Sequence, residues 1–178
     1  EIIRSGPISG STPKSASDSC TCHYEGKLID GTIFDSSIQR GSPSTFSPSG
    51  VIGGWTEALM LMRPGDKWIL TIPSNLAYGD RGSGSSIPGG AVLIFSLELI
   101  SVKESSWTDW LTPKVFAFVA YLSYMLYSFF SGPSRKDVTA TKKFSEKFLS
   151  ENKTKDGVIS LPSGLQYKVL RQGKGTGH

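Results

Sequence analysis

Reactive side chains are scarce in this chain. It has two histidines, His23 and His178, and two cysteines, Cys20 and Cys22. There is no CxxC, no HExxH and no second cluster of metal-ligand types, so a histidine-based hydrolase site or a bound metal has little to be built from. On an extended strand, Cys20 and Cys22 point the same way and are poorly placed to bridge each other, which reads as two small buried hydrophobes. A strong charge of one sign is also missing. Lysine and arginine total 19 against 15 acidic residues, a net +4, and the basic residues are scattered without aromatic interleaving. Nucleic acid is therefore not expected as a partner.

Glycine and proline punctuation fills the first hundred residues instead. CTCHYEGKLI (20–29) reads as a strand closed by Asp30-Gly31, a strong hairpin signal. IFDSS (33–37) continues it, and QRGSPSTFSPSG (39–50) reads as loop. In VIGGWTEALMLM (51–62) the period changes. Trp55, Ala58, Leu59 and Met62 fall on one face of a short helix, which Pro64-Gly65 ends. KWILTIP (67–73) and AVLIFSLELISV (91–102) return to strand character around a turn-rich loop, NLAYGDRGSGSSIPGG (75–90). The expected class is α+β: an antiparallel sheet with one short helix against it.

The stretches HYEGKLIDGTIFDSS (23–37), VIGGW (51–55), AYGDRGSG (77–84), IPGGAVLIF (87–95) and LELISVK (97–103) together resemble, in order and spacing, the FKBP family of peptidyl-prolyl isomerases. The resemblance covers residues 1–103 and implies an antiparallel sheet curled around one short helix. It also implies a pocket with Trp55 as floor and Tyr24, Phe34, Val51, Ile52 and Phe95 as walls. Asp35 would sit at the rim near a twisted carbonyl. Tyr78 would offer its hydroxyl and Ile52 its backbone N–H, Ile87 an apolar contact, and Arg40 support for Asp35 and the neighbouring tyrosine. Three departures, Ser44, Gly53 and Gly89, loosen the rim and leave the aromatic floor whole. The implied partners are X-Pro segments of client proteins and macrolide ligands, and no cofactor is implied. An apolar pocket favours the less polar twisted amide over the planar one, so neither nucleophile nor metal is needed. The other reading is an FKBP-fold structural or assembly subunit that barely uses the site.

Beyond residue 103 the composition shifts. ESSWTDWLTPK (104–114) is a polar and aromatic junction, and residues 115–132 are uncharged, with seven aromatics in VFAFVAYLSYMLYSFF. Apolar residues all round the run, with Trp107 and Trp110 at its approach, predict a single transmembrane helix within 104–132. The basic residues after it, Arg135, Lys136, Lys142, Lys143 and Lys147, place the C-terminal side in cytoplasm, stroma or matrix. The isomerase domain then faces the lumen of a thylakoid or endoplasmic-reticulum membrane. Membrane lipid and a large membrane complex become further expected partners.

Residues 138–153 read as an amphipathic helix with Phe144 and Phe148 on its apolar face. KKFSEKFLSENKTKDGVISLPSGLQYKVLRQGKG (142–175) resembles the lead-in of Mip-type FKBPs, and KVLRQG (168–173) repeats the pattern of EIIRSG (1–6). Residues 133–178 are thus expected to hold a helix and the first strand of a truncated second FKBP-like domain. A lone tail strand on the first domain's sheet edge is the rival. Both chain ends fall beside expected strands, which reads as two cut ends.

Overall fold

A computed structural model describes residues 12–105 and 138–173 of the chain. The strands are β1 (Ser19–Lys27), β2 (Ile33–Ser36), β3 (Ser44–Phe46), β4 (Lys67–Ile72), β5 (Leu93–Lys103), β6 (Ile159–Ser160) and β7 (Gln166–Arg171). Among the described residues two α-helices accompany them, α1 (Gly53–Leu61) and α2 (Val138–Asn152). The sheet has seven strands in the order β2-β1-β5-β4-β7-β6, with β3 also on β1. Neighbouring strands run antiparallel.

Alternation sets the inner face. Along β1 the buried positions are Cys20, Cys22, Tyr24 and Gly26, and along β5 Leu93, Phe95, Leu97 and Leu99. Helix α1 covers that face with Trp55, Ala58 and Leu59, and Met62 follows as its buried C-cap. Both cysteines are free and fully buried. Burial pushes the Cys20 thiol up to about 11 and raises that of Cys22 as well, so both stay protonated apolar fillers.

The tail joins the same sheet. β7 pairs with β4 from Lys67↔Arg171 to Thr71↔Gln166, and the Trp68 and Tyr167 rings stack at 4.4 Å. Leu165 is fully buried in the core. A buried amide network locks α2 to this edge: Asn152 Nδ2 donates to Gln166 Oε1 (2.8 Å) and Thr71 Oγ1 (3.3 Å). The Gln166 amide in turn donates to the Leu149 carbonyl (3.0 Å). The buried face of α2 is therefore Ser145 and Asn152, seven residues apart, while Phe144 stands 59% exposed. Polar groups on β4 and β7 offered better partners than the expected apolar face could find.

The expected transmembrane helix, and with it the single-pass lumenal placement of the isomerase domain, is overturned. Among the described residues no helix is long and apolar enough to cross a membrane. α2 has 15 residues and carries Lys142, Lys143, Glu146, Lys147 and Glu151, whereas a span needs about 20 predominantly apolar ones. The run 115–132 lies outside the described residues, as does the expected strand at 1–4.

Candidate functional site

Tyr24 points inward from the middle of β1. Two residues on, Gly26 pairs with Asp35 across β1–β2 and with Phe95 across β1–β5. A glycine is required between them. A Cβ at Gly26 would lie 2.6 Å from the Phe95 ring and 2.7 Å from the Phe34 ring. Its absence lets those two rings close edge-to-face at 5.5 Å.

Trp55, on the first turn of α1, stands at the centre of the aromatic group. It meets Tyr24 at 5.2 Å, Phe95 at 5.2 Å and Phe46 at 5.4 Å, all edge-to-face. Such pairs add about 0.5–1.5 kcal/mol each beyond burial. Trp55 is 4% exposed, a core residue, and its indole N–H has no hydrogen-bond partner among the described residues. Val51, Ile52 and Phe34 pack against the same cluster, and Ile87 joins it from the loop between β4 and β5. Tyr78, on that same loop, is 40% exposed. Ile52 is the N-cap of α1, its carbonyl accepting from the Trp55 and Thr56 amides.

A polar rim closes one side. The Tyr24 hydroxyl donates to Asp35 Oδ2 at 2.6 Å, and Arg40 donates to the Tyr24 oxygen at 2.7 Å. Arg40 also pairs with Asp35 Oδ1 and lies over the Tyr24 ring at 5.5 Å. Its further contact, to Ser44 Oγ, is a long 3.4 Å. Burial works to raise the Asp35 pKa, but the hydrogen bonds from Tyr24 and Arg40 and the Arg40 charge outweigh it, and the net shift is downward. Burial and the Asp35 hydrogen bond raise the Tyr24 pKa, keeping that hydroxyl a donor.

Linkage fixes the sign of the pH dependence. A carboxylate with a depressed folded pKa stabilises the fold above its ordinary value, 3.8 here, and the contribution is lost as pH falls through the folded value. Stability and ligand binding should therefore be insensitive to Asp35 between about pH 5 and 9 and weaken below about 4. Acid unfolding of wild type against Asp35→Asn checks this. Equal acid limbs in the two proteins would show that the rim carboxylate is not held as described.

Of the ten residues read from the sequence, Tyr24, Asp35 and Arg40 form one hydrogen-bonded rim, and Trp55, Phe34, Phe95, Val51, Ile52 and Ile87 one apolar cluster. Tyr78 lies on the loop between β4 and β5 and is 40% exposed. Sequence reading missed Phe46. It belongs to β3, where Cys20 pairs with Phe46, and its ring packs on both Tyr24 (5.8 Å) and Trp55. The only signal was a β-compatible STF inside a stretch otherwise rich in serine, proline and glycine. His23 is occupied with Ser37 Oγ at 3.0 Å. Among the described residues no group of three His, Cys, Asp or Glu could hold a metal ion. The assembly is an aromatic floor beside a fixed carboxylate–tyrosine–arginine rim, suited to holding an apolar ring and a polar backbone group together.

Comparison with known proteins gives the same direction. Residues 10–100, just over half of the chain, match the family described as FKBP-type peptidyl-prolyl cis-trans isomerase. Residues 130–169 match the domain amino terminal to FKBP-type peptidyl-prolyl isomerase, which here follows the first match instead of preceding it. The chain is 55% identical over 96 residues to the macrophage infectivity potentiator of Trypanosoma cruzi, covering 54% of this chain and 49% of that protein. It is 58% identical over 85 residues to the FKBP-type 22 kDa peptidyl-prolyl cis-trans isomerase of Escherichia coli K12, covering 48% and 41%. Among solved structures, FkpA from Escherichia coli superposes with a TM-score of 0.52 at 44% identity, over 55% of this chain and 45% of that one. The chain thus spans about half the length of the curated relatives it matches.

Proposed function

The chain belongs to the FKBP-type peptidyl-prolyl cis-trans isomerases, and on that premise we propose that it accelerates rotation about X-Pro bonds in client proteins and so assists their folding. The observation that carries this is the Trp55-centred aromatic cluster set beside the Tyr24–Asp35–Arg40 rim. Uncatalysed rotation crosses a barrier of about 18–20 kcal/mol. At the transition state the amide has lost resonance and is less polar, so an apolar floor binds it better than it binds the planar form.

In this reading the prolyl ring rests on Trp55 between Tyr24, Phe34, Val51, Phe95 and Ile87. Asp35, oriented by Arg40, faces the twisted carbonyl from the rim. The Ile52 N–H and Tyr78 hydroxyl hold the flanking backbone. A macrolide ligand would occupy the same floor. The catalytic unit is assigned to residues 1–103, and within 133–178 helix α2 and strand β7 dock on the same sheet at β4.

The test is an exchange measurement, by NMR, on an X-Pro peptide with the full chain added in catalytic amount. Acceleration abolished by a macrolide FKBP ligand is the expected result. Interconversion at the uncatalysed rate would sink the enzymatic reading and leave a scaffold that keeps the fold without using the site.

A further inference from the structure

Tyr78 and Ile87 stand on the loop between β4 and β5, and helix α2 is seated on the neck of that loop. The neck is closed by the Gly90 N–H donating to the Gly79 carbonyl at 2.8 Å, and its far part by reciprocal bonds between Ser83 and Ile87 at 2.9 and 3.1 Å. From α2, the buried Ser145 hydroxyl donates to the Gly90 carbonyl at 2.8 Å. One turn earlier, the Lys142 ammonium pairs with Asp80 at 2.6 Å. The approach leaves no room for side chains on the neck. A Cβ at Gly89 would stand 2.0 Å from the Asp80 carbonyl oxygen and 3.1 Å from Val138, and one at Gly90 2.8 Å from Lys142 Cγ.

The other end of α2 is fixed independently. Asn152 holds Thr71 on β4 and Gln166 on β7. A continuous set of contacts therefore runs from the central sheet, through one rigid helix, to the loop that carries two of the pocket's contacts.

We propose that α2 is a clamp on this loop, and that Ser145, with Lys142, is a positioning residue for X-Pro binding at the site. The proposal rests on the isomerase reading above. A rim loop held in its binding conformation before substrate arrives spares the substrate the cost of ordering it. When only a fraction of molecules is binding-competent, apparent affinity falls by that fraction. Releasing the clamp should thus raise KM while leaving kcat nearly unchanged, because the loop is ordered equally in the ground and transition states.

The experiment compares the full chain with Ser145→Ala, Ser145→Thr and the charge pair Lys142→Asp/Asp80→Lys. Alanine is a better helix former than serine, so Ser145→Ala keeps α2 and deletes only the hydroxyl bonded to Gly90. Two readouts are taken: hydrogen exchange of the amides from 76 to 91, and kcat and KM on an X-Pro peptide. Ser145→Ala should speed exchange at the neck and raise KM about three- to tenfold, the weight of one lost hydrogen bond, with kcat within about twofold. Ser145→Thr, which retains the donor, should restore KM, and Lys142→Asp should be rescued by Asp80→Lys. Unchanged exchange in Ser145→Ala overturns the clamp whatever the activity. Faster exchange with an unchanged KM overturns the positioning role. A wild-type chain without activity overturns the isomerase reading by itself, and the clamp then stands or falls on exchange alone.

Discussion

Trp55→Ala should lose macrolide binding and X-Pro turnover together. The indole touches Tyr24, Phe46 and Phe95 at once and is almost fully enclosed. Its removal therefore takes away the floor of the site and a central piece of the core. Large-to-small changes of an aromatic in a core cost about 3–5 kcal/mol, a large share of the 5–15 kcal/mol typical of a domain. Trp55→Phe is the informative companion. It keeps an apolar floor and a ring for the edge-to-face contacts, so the fold should stand while binding falls moderately. Thermal unfolding and calorimetric titration of both variants read the two effects separately. Normal macrolide binding by a folded Trp55→Phe or Trp55→Ala protein would show that the ligand rests elsewhere.

The second large effect is expected from the smallest residue at the site. At Gly26 an added methyl would fall within 2.6–2.8 Å of the Phe95 and Phe34 rings, closer than real side chains approach. The rings belong to a packed group and cannot both retreat, so Gly26→Ala should drive them toward the floor. Overpacking of this kind costs about 1–3 kcal/mol. Where that cost falls on the binding-competent arrangement it weakens affinity by roughly 5- to 150-fold. Titration with a macrolide ligand, alongside a melting curve, checks it. Wild-type affinity in a Gly26→Ala protein would mean that the Phe34–Phe95 wall plays no part in binding.

The elements that place the floor were legible because their signals are local. Trp55, Ala58, Leu59 and Met62 recur at helical spacing, and the four lie buried together. β1 and β5 announce themselves by alternation, and their inward residues are those the period selects. Phe46 was invisible for the opposite reason. Three residues of strand among serines and prolines have no period to detect, and β3 exists because β1 offers it an edge. The buried face of α2 was misread because aromatic spacing drew attention to Phe144, whereas the docking surface is polar and selects Ser145 and Asn152. No apolar-moment reasoning finds a hydrogen-bonded face. The uncharged run at 115–132 carried a strong compositional signal, but composition measures greasiness and says nothing of which described helix could cross a membrane. The rim was readable only through family resemblance. Asp35 and Arg40 are five residues apart, but Tyr24 lies on another strand and only the pairing of β1 with β2 brings it to them.

The position of β7 in the sheet also governs when this sheet can be completed. Arg171 reaches Gly65 across 106 residues, and β4 receives its outer partner only from that distance. Contacts so remote in sequence are the slow ones, since a long loop must close before they form. On a ribosome, β1 through β5 and the aromatic cluster can assemble while the segment that becomes β7 is still unmade. During that interval β4 lacks the outer partner it has among the described residues, and a row of open amides and carbonyls of that kind is where nascent chains aggregate. Among the described strands, it is therefore the arrival of β7 that covers the outer edge of β4 and closes it to a wrong partner.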